Sequence, residues 1–154
     1  MRKILIVMTG ILFAFSGVAC ASPETGNVGL DSMARTMKIT VNGRVLNATM
    51  ADNSSAEALL ERLEEAPITI EMEDYASMEK VGDLGFSLPR NDRPTDTEAG
   101  DIILYQGHNF VIYYNANSWN FTRLGRIEGV SASGLRTVLG RGDVTVTLSI
   151  GEEE

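Results

Sequence analysis

The side chains best suited to nucleophilic or metal chemistry are scarce in this chain of 154 residues, which has one cysteine, Cys20, and one histidine, His108. A zinc site normally needs several Cys or His ligands, and a Cys–His catalytic pair is lost if Cys20 belongs to a leader. Carboxylates could still hold a hard cation, although no EF-hand spacing occurs. We therefore predict no metal site and no cofactor.

Aromatic and amide side chains in the second half of the chain are a better basis for a binding site. A polar Gln-Gly-His-Asn turn occupies residues 106–109. Further along, a period of two places Trp119, Phe121 and Arg123 on one face of a predicted strand. For the aromatic residues, packing into the core is the competing interpretation. We predict a ligand-binding groove lined by Phe86, Gln106, His108, Asn109 and Phe121.

Segments in which polar and apolar residues alternate predict the strands that must carry this groove. Asn42-Gly43 joins the first two strands and is a strong hairpin signal, because both residues tolerate the positive φ of a type I′ turn. Residues 75–90 are predicted to be irregular and residues 91–97 to be an exposed loop. The predicted strands span residues 38–41, 45–50, 68–72, 102–105, 110–114, 119–124 and 144–150.

Two segments have a helical pattern instead. Ser54 and Glu57 have the S-x-x-E spacing of a capping box, and apolar residues then recur at helical spacing until Pro67. Residues 131–139 form a second short helix that is stopped by Gly140. With about seven or eight short strands and two helices, the chain is predicted to be mainly β, as a closed antiparallel barrel of about eight strands.

The first 21 residues have the order of a secretory signal peptide. Arg2 and Lys3 precede an uncharged apolar run over residues 4–15, and small residues follow. The run is too short to span a bilayer, which takes about 20 apolar residues. Residues 1–21 are therefore predicted to be an export signal.

Two processing routes fit the end of this leader. Ala19-Cys20-Ala21 matches the A-x-A pattern for cleavage after Ala21. Alternatively, Val18-Ala19-Cys20 resembles the end of a bacterial lipobox, in which Cys20 becomes the lipidated first residue. We favour lipidation, because the only cysteine lies at the one position where lipidation would use it.

The rest of the chain divides into a polar linker, a folded domain and a charged tail. Residues 22–36 lack an apolar period and are predicted to be a flexible tether, 37–150 to be the domain, and 151–154 to be an acidic, frayed tail. Removal of the leader with its two basic residues takes the formal net charge from −8 to −10. So acidic a domain repels phosphate backbones, and we predict no nucleic-acid partner.

Three short landmarks follow one another within the predicted domain: EKVGDL at residues 79–84, AGDI at 99–102 and LGRI at 124–127. Together with the hairpin and helix before them and the strand at the end, they give residues 37–150 a pattern that resembles the bacterial cyclophilin-like family. The resemblance implies a cyclophilin-like barrel of eight strands capped by helices. Cyclophilins themselves are peptidyl-prolyl isomerases, but a fold alone does not give a function.

Prolyl isomerisation requires a pocket for the proline ring and a donor that favours the twisted amide, against a rotation barrier of about 18–20 kcal/mol. In cyclophilins an Arg precedes a Phe and a Gln in one segment, whereas the matching segment here, 75–86, has Lys80, which lacks the planar fork. Asn109-Phe110 stands in the place of the family's Gln-Phe, and Phe121 in the place of its His. The apolar parts are kept and the polar catalytic parts are largely replaced.

The sequence therefore predicts an exported barrel domain, periplasmic or at the cell surface, that binds a peptide or a small ligand. It would reach the membrane only through a lipid anchor on Cys20. A divergent prolyl isomerase that assists protein folding is the alternative. A third hypothesis is an assembly subunit whose barrel face binds a partner protein.

Overall fold

A computed structural model describes residues 35–151 of the chain, which contain nine strands and two helices. The predicted signal peptide, Cys20, nearly all of the predicted tether and residues 152–154 lie outside the described residues. The elements are β1 (Thr36–Val41), β2 (Arg44–Met50), α1 (Ser54–Glu65), β3 (Ile68–Tyr75), β4 (Glu79–Asp83), β5 (Arg93–Thr97), β6 (Asp101–Tyr105), β7 (Asn109–Tyr113), β8 (Asn117–Ile127), α2 (Ala132–Leu139) and β9 (Val144–Ile150).

Eight of these strands form a closed antiparallel barrel in the order β2-β1-β9-β3-β4-β7-β6-β8, and the pairing of β2 with β8 closes it. At the closure, Ala48 is opposite Ile127 and Met50 is opposite Gly125. Closure removes the free strand edges that an open sheet would leave. The predicted fold class, mainly β with a closed antiparallel barrel of eight strands and two helices, is confirmed.

Two strands arise where the sequence predicts none. β4 crosses the segment 75–90, and β5 lies within the segment 91–97 that was expected to be a loop. β5 contains no apolar alternation and carries Pro94, which an edge strand tolerates because a missing N–H on its free side costs nothing. β5 pairs with the first half of β8, with Arg93 opposite Phe121 and Thr97 opposite Asn117. The first half of β8 therefore pairs with β5, which is an additional strand and not one of the eight strands of the closed barrel.

The start of α1 differs from the predicted capping box. Asn53 is the N-cap, and its Oδ1 accepts hydrogen bonds from the N–H groups of Ser55 at 3.1 Å and Ala56 at 3.0 Å. Asn caps a helix as well as Ser does, and this Asn also donates to the carbonyl of Arg123 at 2.8 Å. The capping side chain thus ties α1 to β8 as well as starting the helix.

The landmark segments meet in the barrel wall. Asp101 on β6 is opposite Arg126 on β8, and its fully buried carboxylate lies 3.3 Å from Arg126 Nη1 and 3.2 Å from Arg123 Nη2. At Gly125, an added Cβ would lie 2.5 Å from the carbonyl oxygen of Thr49 on β2. These residues therefore hold strands together, and their role is structural.

The barrel wall separates two apolar clusters. The larger one fills the interior, where Ile102, Leu104 and Ile112 pack with residues of both helices. Ile103 and Val111, which alternate with them along β6 and β7, point to the other side of the wall. There they form a second cluster with Tyr113, Phe121, Met78 and Val81. The outer face of β4, β7, β6 and β8 is therefore apolar.

Candidate functional site

An open cleft with a volume of about 380 Å³ lies over this outer apolar face, and we call it the aromatic cleft. Half of its ten lining residues are aromatic. Three barrel strands, the first half of β8 and the end of β3 contribute to it. The lining residues are Tyr75, Glu79, Val81, Tyr105, Asn109, Val111, Tyr113, Asn117, Trp119 and Phe121.

Strand register explains why these side chains converge. Glu79 and Val81 on β4 are opposite Tyr113 and Val111 on β7, and all four point outward because side chains alternate along a strand. Asn109, two residues before Val111, shares this face and is opposite Tyr105 of β6. The wall of the barrel thus presents a continuous row of outward side chains across three strands.

Phe121 forms the centre of the aromatic set. It is 4% exposed, and its ring centroid lies 5.7 Å from that of Tyr113 and 6.2 Å from that of Tyr105. The Tyr105 contact is edge-to-face, with an interplanar angle of 70°. Such aromatic pairs contribute about 0.5–1.5 kcal/mol each beyond the buried area. Phe121 therefore fixes the floor of the cleft.

The rim of the cleft is unusually exposed for apolar side chains. Trp119 is 66% exposed, Tyr75 is 62% exposed and Tyr105 is 36% exposed. In the described part of the chain only one other large apolar side chain, Val45, is comparably exposed. Clustered exposed apolar groups typically mark an interaction site, whereas scattered ones do not.

Glu79 is the one charged residue in this lining, and its Oε2 is buried without any hydrogen-bond partner. Burial raises the pKa of Glu79, and the hydroxyl of Tyr113 opposes that rise. Burial, together with the hydrogen bond to Glu79, raises the pKa of Tyr113 far above its usual range. Asn117 donates from Nδ2 to Tyr113 Oη at 3.2 Å. An unpaired buried acceptor costs free energy, and such groups in a cleft are typical of functional sites.

Lys80, the next residue on β4, points to the other side of the wall. Its side chain is completely buried, and Nζ donates to Asp74 Oδ2 at 2.7 Å and to the carbonyl of Gly142. The hydrogen bond from Lys80 holds the pKa of Asp74 below its usual value. Asp74 also accepts from the hydroxyl of Tyr114 at 2.8 Å, and burial with this bond raises the pKa of Tyr114 to about 12. Lys80 is therefore part of an interior network.

The five residues predicted to line a groove are divided by the structure. Asn109 and Phe121 line the aromatic cleft. Gln106 lies in the β6–β7 turn and lines an adjacent depression that shares Tyr105 and Trp119 with the cleft. His108 lines neither; its Nδ1 is 3.1 Å from the Gln106 carbonyl and its Nε2 is 3.3 Å from Asn109 Nδ2.

Phe86 also lines neither depression. Its ring packs against the interior cluster, with the guanidinium of Arg62 on α1 5.2 Å from the ring centroid. The sequence suggested a groove position because Phe86 lies in the segment that matches the cyclophilin Arg and Phe. That segment instead crosses the wall as β4 and then turns towards α1.

Most of the cleft was not predicted, although one signal pointed to it. Residues 102–105 and 110–114 are continuous apolar runs, and strands of that kind are normally covered on both faces. Closure of the barrel covers the inner face, so the outward residues must form a second apolar surface. Glu79 and Val81 were missed because β4 itself was not predicted.

Residues 35–151 contain neither a ready metal site nor a helix that could span a membrane. Within that range no three Asp, Glu, His or Cys side chains are close enough together to hold a metal ion. Neither of its helices has the length and hydropathy to cross a membrane.

Comparison with known proteins identifies the family. A sequence model of the cyclophilin-like family matches residues 39–149, which is well over half of the chain. No curated protein matches the chain. Among solved structures, that of McbB in complex with tryptophan is similar, with a TM-score of 0.53 and 13% identity. The match covers 77% of this chain and 45% of the McbB chain, so this chain spans less than half of McbB, and the likeness concerns the fold.

Proposed function

The chain belongs to the cyclophilin-like family, and we propose that it is a binding domain whose aromatic cleft takes up a small ligand or a short peptide. The observation that carries the proposal is the convergence of three exposed aromatic side chains, Tyr75, Tyr105 and Trp119, on one cleft. Exposure of large apolar groups to water costs free energy, and a bound ligand would recover it.

The size and lining of the cleft suit a small ligand. Its volume of about 380 Å³ lies in the range of about 300–1,000 Å³ that is usual for small-molecule sites. Apolar walls with a few polar groups are also typical of such sites. Here the polar groups are Glu79, the amides of Asn109 and Asn117, and the tyrosine hydroxyls. A ring-bearing molecule, or one or two side chains of a peptide, would fill this space.

Binding is a better proposal than prolyl isomerisation. An isomerase needs a strong donor at the amide that it twists, and a cation is the donor that cyclophilins use. None of the ten residues that line the aromatic cleft is basic. Lys80, the basic residue of the matching segment, is held in the interior by Asp74. X-Pro peptides used to measure binding also allow prolyl isomerisation to be measured.

We also propose that the domain acts outside the cytoplasm, tethered by a lipid on Cys20. This proposal rests on the leader alone: a basic start, an apolar run and a cysteine after small residues. If residues 22–36 form the tether that the sequence predicts, a binding domain anchored in this way would sample ligands near the membrane surface.

Trp119 provides a direct test, because it is the only tryptophan in the chain and it lies on the rim of the cleft. The barrel closes within residues 35–151, so the chain from Ser22 onward should fold without the leader. Ring-bearing small molecules and X-Pro peptides would be titrated against it by tryptophan fluorescence and by NMR. We expect saturable changes at the indole N–H of Trp119 and the amides of Asn109 and Asn117.

Two results would overturn the proposal. The first is an absence of saturable binding across the panel. The second is binding whose NMR shifts lie away from the aromatic cleft. Exchange spectroscopy on the X-Pro peptides is the control for catalysis, and we expect the cis–trans exchange rate to be the same with and without the protein.

A further inference from the structure

Glu79 contributes the one charged side chain that lines the aromatic cleft, a carboxylate. Its Oε2 is buried and accepts no hydrogen bond, so a ligand that supplies a donor would complete it. A carboxylate can only accept, and any hydrogen bond to its charge is about twice as strong as a neutral one. A cationic donor also neutralises the buried charge, which a neutral donor leaves uncompensated. A cationic donor therefore fits this oxygen better than a hydroxyl or an amide.

Residues 35–151 supply no basic side chain to Glu79. The ion pairs formed within residues 35–151 all leave it out. Lys80, its neighbour in sequence, is paired with Asp74 on the other side of the wall, and Arg123 is paired with Asp101. The counter-ion of Glu79 must therefore come from solvent or from a ligand.

The aromatic rim favours the same charge. The faces of tyrosine and tryptophan rings carry negative potential and attract cations, more strongly where water is excluded than at exposed sites. Tyr75, Tyr105 and Trp119 surround the cleft, and no basic side chain is among the described residues that line it. The formal net charge of −8 adds a general attraction for cations.

We infer that the ligand of the aromatic cleft is a protonated amine carried on an aromatic or apolar body, with the ammonium group at Glu79 and the body against the rings. This inference rests on the proposed binding function and names its ligand class. An anionic ligand would face an uncompensated carboxylate, and a neutral one would leave that carboxylate buried without a counter-ion.

Three probes of nearly equal size test the inference on the chain from Ser22 onward: 2-phenylethylamine, 2-phenylethanol and 3-phenylpropionate. At pH 7.5 we expect the amine to bind at least tenfold more tightly than the alcohol, and the acid to bind more weakly than both. Trp119 fluorescence and calorimetry would give the dissociation constants. Amine and alcohol affinities within twofold of each other would overturn the inference while leaving the proposed binding function intact.

A matched pair of variants assigns the preference to Glu79. In Glu79→Gln the amine should bind as weakly as the alcohol, whose affinity should not change. Glu64→Gln removes the same charge from the exposed surface of α1 and should keep the full preference. Retention of the preference in Glu79→Gln would contradict the inference. If none of the three probes binds to the unmodified chain, the inference fails, whereas the proposed function falls only if the wider panel of ring-bearing molecules and X-Pro peptides also fails to bind.

The unmodified protein provides a second test that does not depend on how Glu79→Gln folds. Protonation of Glu79 at acid pH removes the counter-ion, so the amine should lose its advantage over the alcohol as the pH falls. An amine preference that is the same at pH 3.5 and pH 7.5, in a protein that is still folded at both values, would overturn the role of a carboxylate.

Discussion

Glu79 and Lys80 are consecutive residues of β4 whose charged groups lie on opposite sides of the barrel wall, and of the two only Lys80 forms an ion pair within residues 35–151. Lys80 Nζ is buried against Asp74 at 2.7 Å, whereas Glu79 Oε2 is buried in the aromatic cleft and accepts nothing. The alternation of side chains along a strand keeps the two charges apart, although they are neighbours in the chain. The interior charge is therefore neutralised within the fold, whereas no basic side chain of residues 35–151 forms an ion pair with the outer one.

Replacement of Glu79 should stabilise the protein at neutral pH. Burial raises the pKa of Glu79 above its ordinary value of 4.5 in the folded state, so the folded protein binds this proton more tightly than the unfolded chain does. Its contribution to stability is thus greatest below about pH 4.5 and is lost as the pH rises through the raised pKa. Glu79→Gln should abolish that loss and give a higher free energy of unfolding at pH 7.

Urea denaturation of Glu79→Gln and the unmodified chain between pH 4 and pH 8 would measure this difference. The gap in the free energy of unfolding should widen as the pH rises. Glu64→Gln is the control, and it should change stability by no more than about 0.5 kcal/mol at any pH, as surface substitutions usually do. A Glu79→Gln variant that is less stable than the unmodified chain at pH 7 would contradict the explanation.

Removal of the partner of Lys80 should have the opposite effect. Asp74→Asn leaves an ammonium group in the interior with only neutral acceptors, the amide oxygen of the new side chain and the carbonyl of Gly142, and loss of the countercharge of a buried cation typically costs about 3–5 kcal/mol. Lys80→Met should cost less, because Asp74 is 25% exposed and keeps the hydroxyl of Tyr114. Chemical denaturation should therefore give a higher free energy of unfolding for the double variant Asp74→Asn with Lys80→Met than for Asp74→Asn alone. Equal losses in Asp74→Asn and the double variant would rule out the stranded charge as the cause.

The ion pair between Lys80 and Asp74 also predicts that the protein loses stability at acid pH. Lys80 lowers the pKa of Asp74 below 3.8 in the folded state, so this contribution is present above about pH 3.8 and is lost as the pH falls through the lowered pKa. Thermal melts below pH 4 should show a steep loss for the unmodified chain. In the double variant Asp74→Asn with Lys80→Met, the loss over this range should be smaller. If the melting temperature of both proteins fell equally below pH 4, other carboxylates would account for the loss of stability.

The fold was predictable from the sequence because its signals are local. Asn42 and Gly43 have φ values of 48° and 71°, as the hairpin turn requires, and the alternating segments on either side of them are β1 and β2. β5 was missed because a polar edge strand with Pro94 has no pattern that distinguishes it from a loop. Pairing with β8, whose partner residues lie 20 to 28 positions further along the chain, is what makes it a strand.

The site was predicted only in part, because its residues come together through the register of distant strands. Asn109 and Phe121 were expected to lie near each other and both line the aromatic cleft. The sequence predicted a groove position for Phe86 as well, but its ring packs beside Arg62. Glu79 meets Tyr113 only through the β4–β7 register, which no local pattern specifies.

Lipidation of Cys20 should be detectable on the exported protein. We expect mass spectrometry of the membrane fraction to find Cys20 as the modified first residue, and palmitate labelling to require this cysteine. In Cys20→Ser the label should be lost and the protein should appear in the soluble exported fraction or retain its leader. A mature unmodified chain that starts at Ser22 would instead support cleavage after Ala21.

Phe121 and Phe86 provide a matched comparison of a cleft aromatic with a core aromatic. Phe121→Leu removes the ring that contacts both Tyr105 and Tyr113 and lowers the floor of the cleft. Affinity for 2-phenylethylamine should fall about tenfold, which corresponds to about 1.4 kcal/mol and is comparable to one aromatic contact. Leu is chosen because Ala at this buried position would create a cavity large enough to threaten folding.

Phe86→Leu should leave that affinity within about twofold, since the ring lies against α1 and the interior. Both variants should lose stability, by about 1 kcal/mol, so stability alone would not separate them. Calorimetric titration at a temperature where both are folded gives the comparison. Equal loss of affinity in the two variants would mean that binding depends on the barrel as a whole, and a loss confined to Phe86→Leu would move the site to the face near α1.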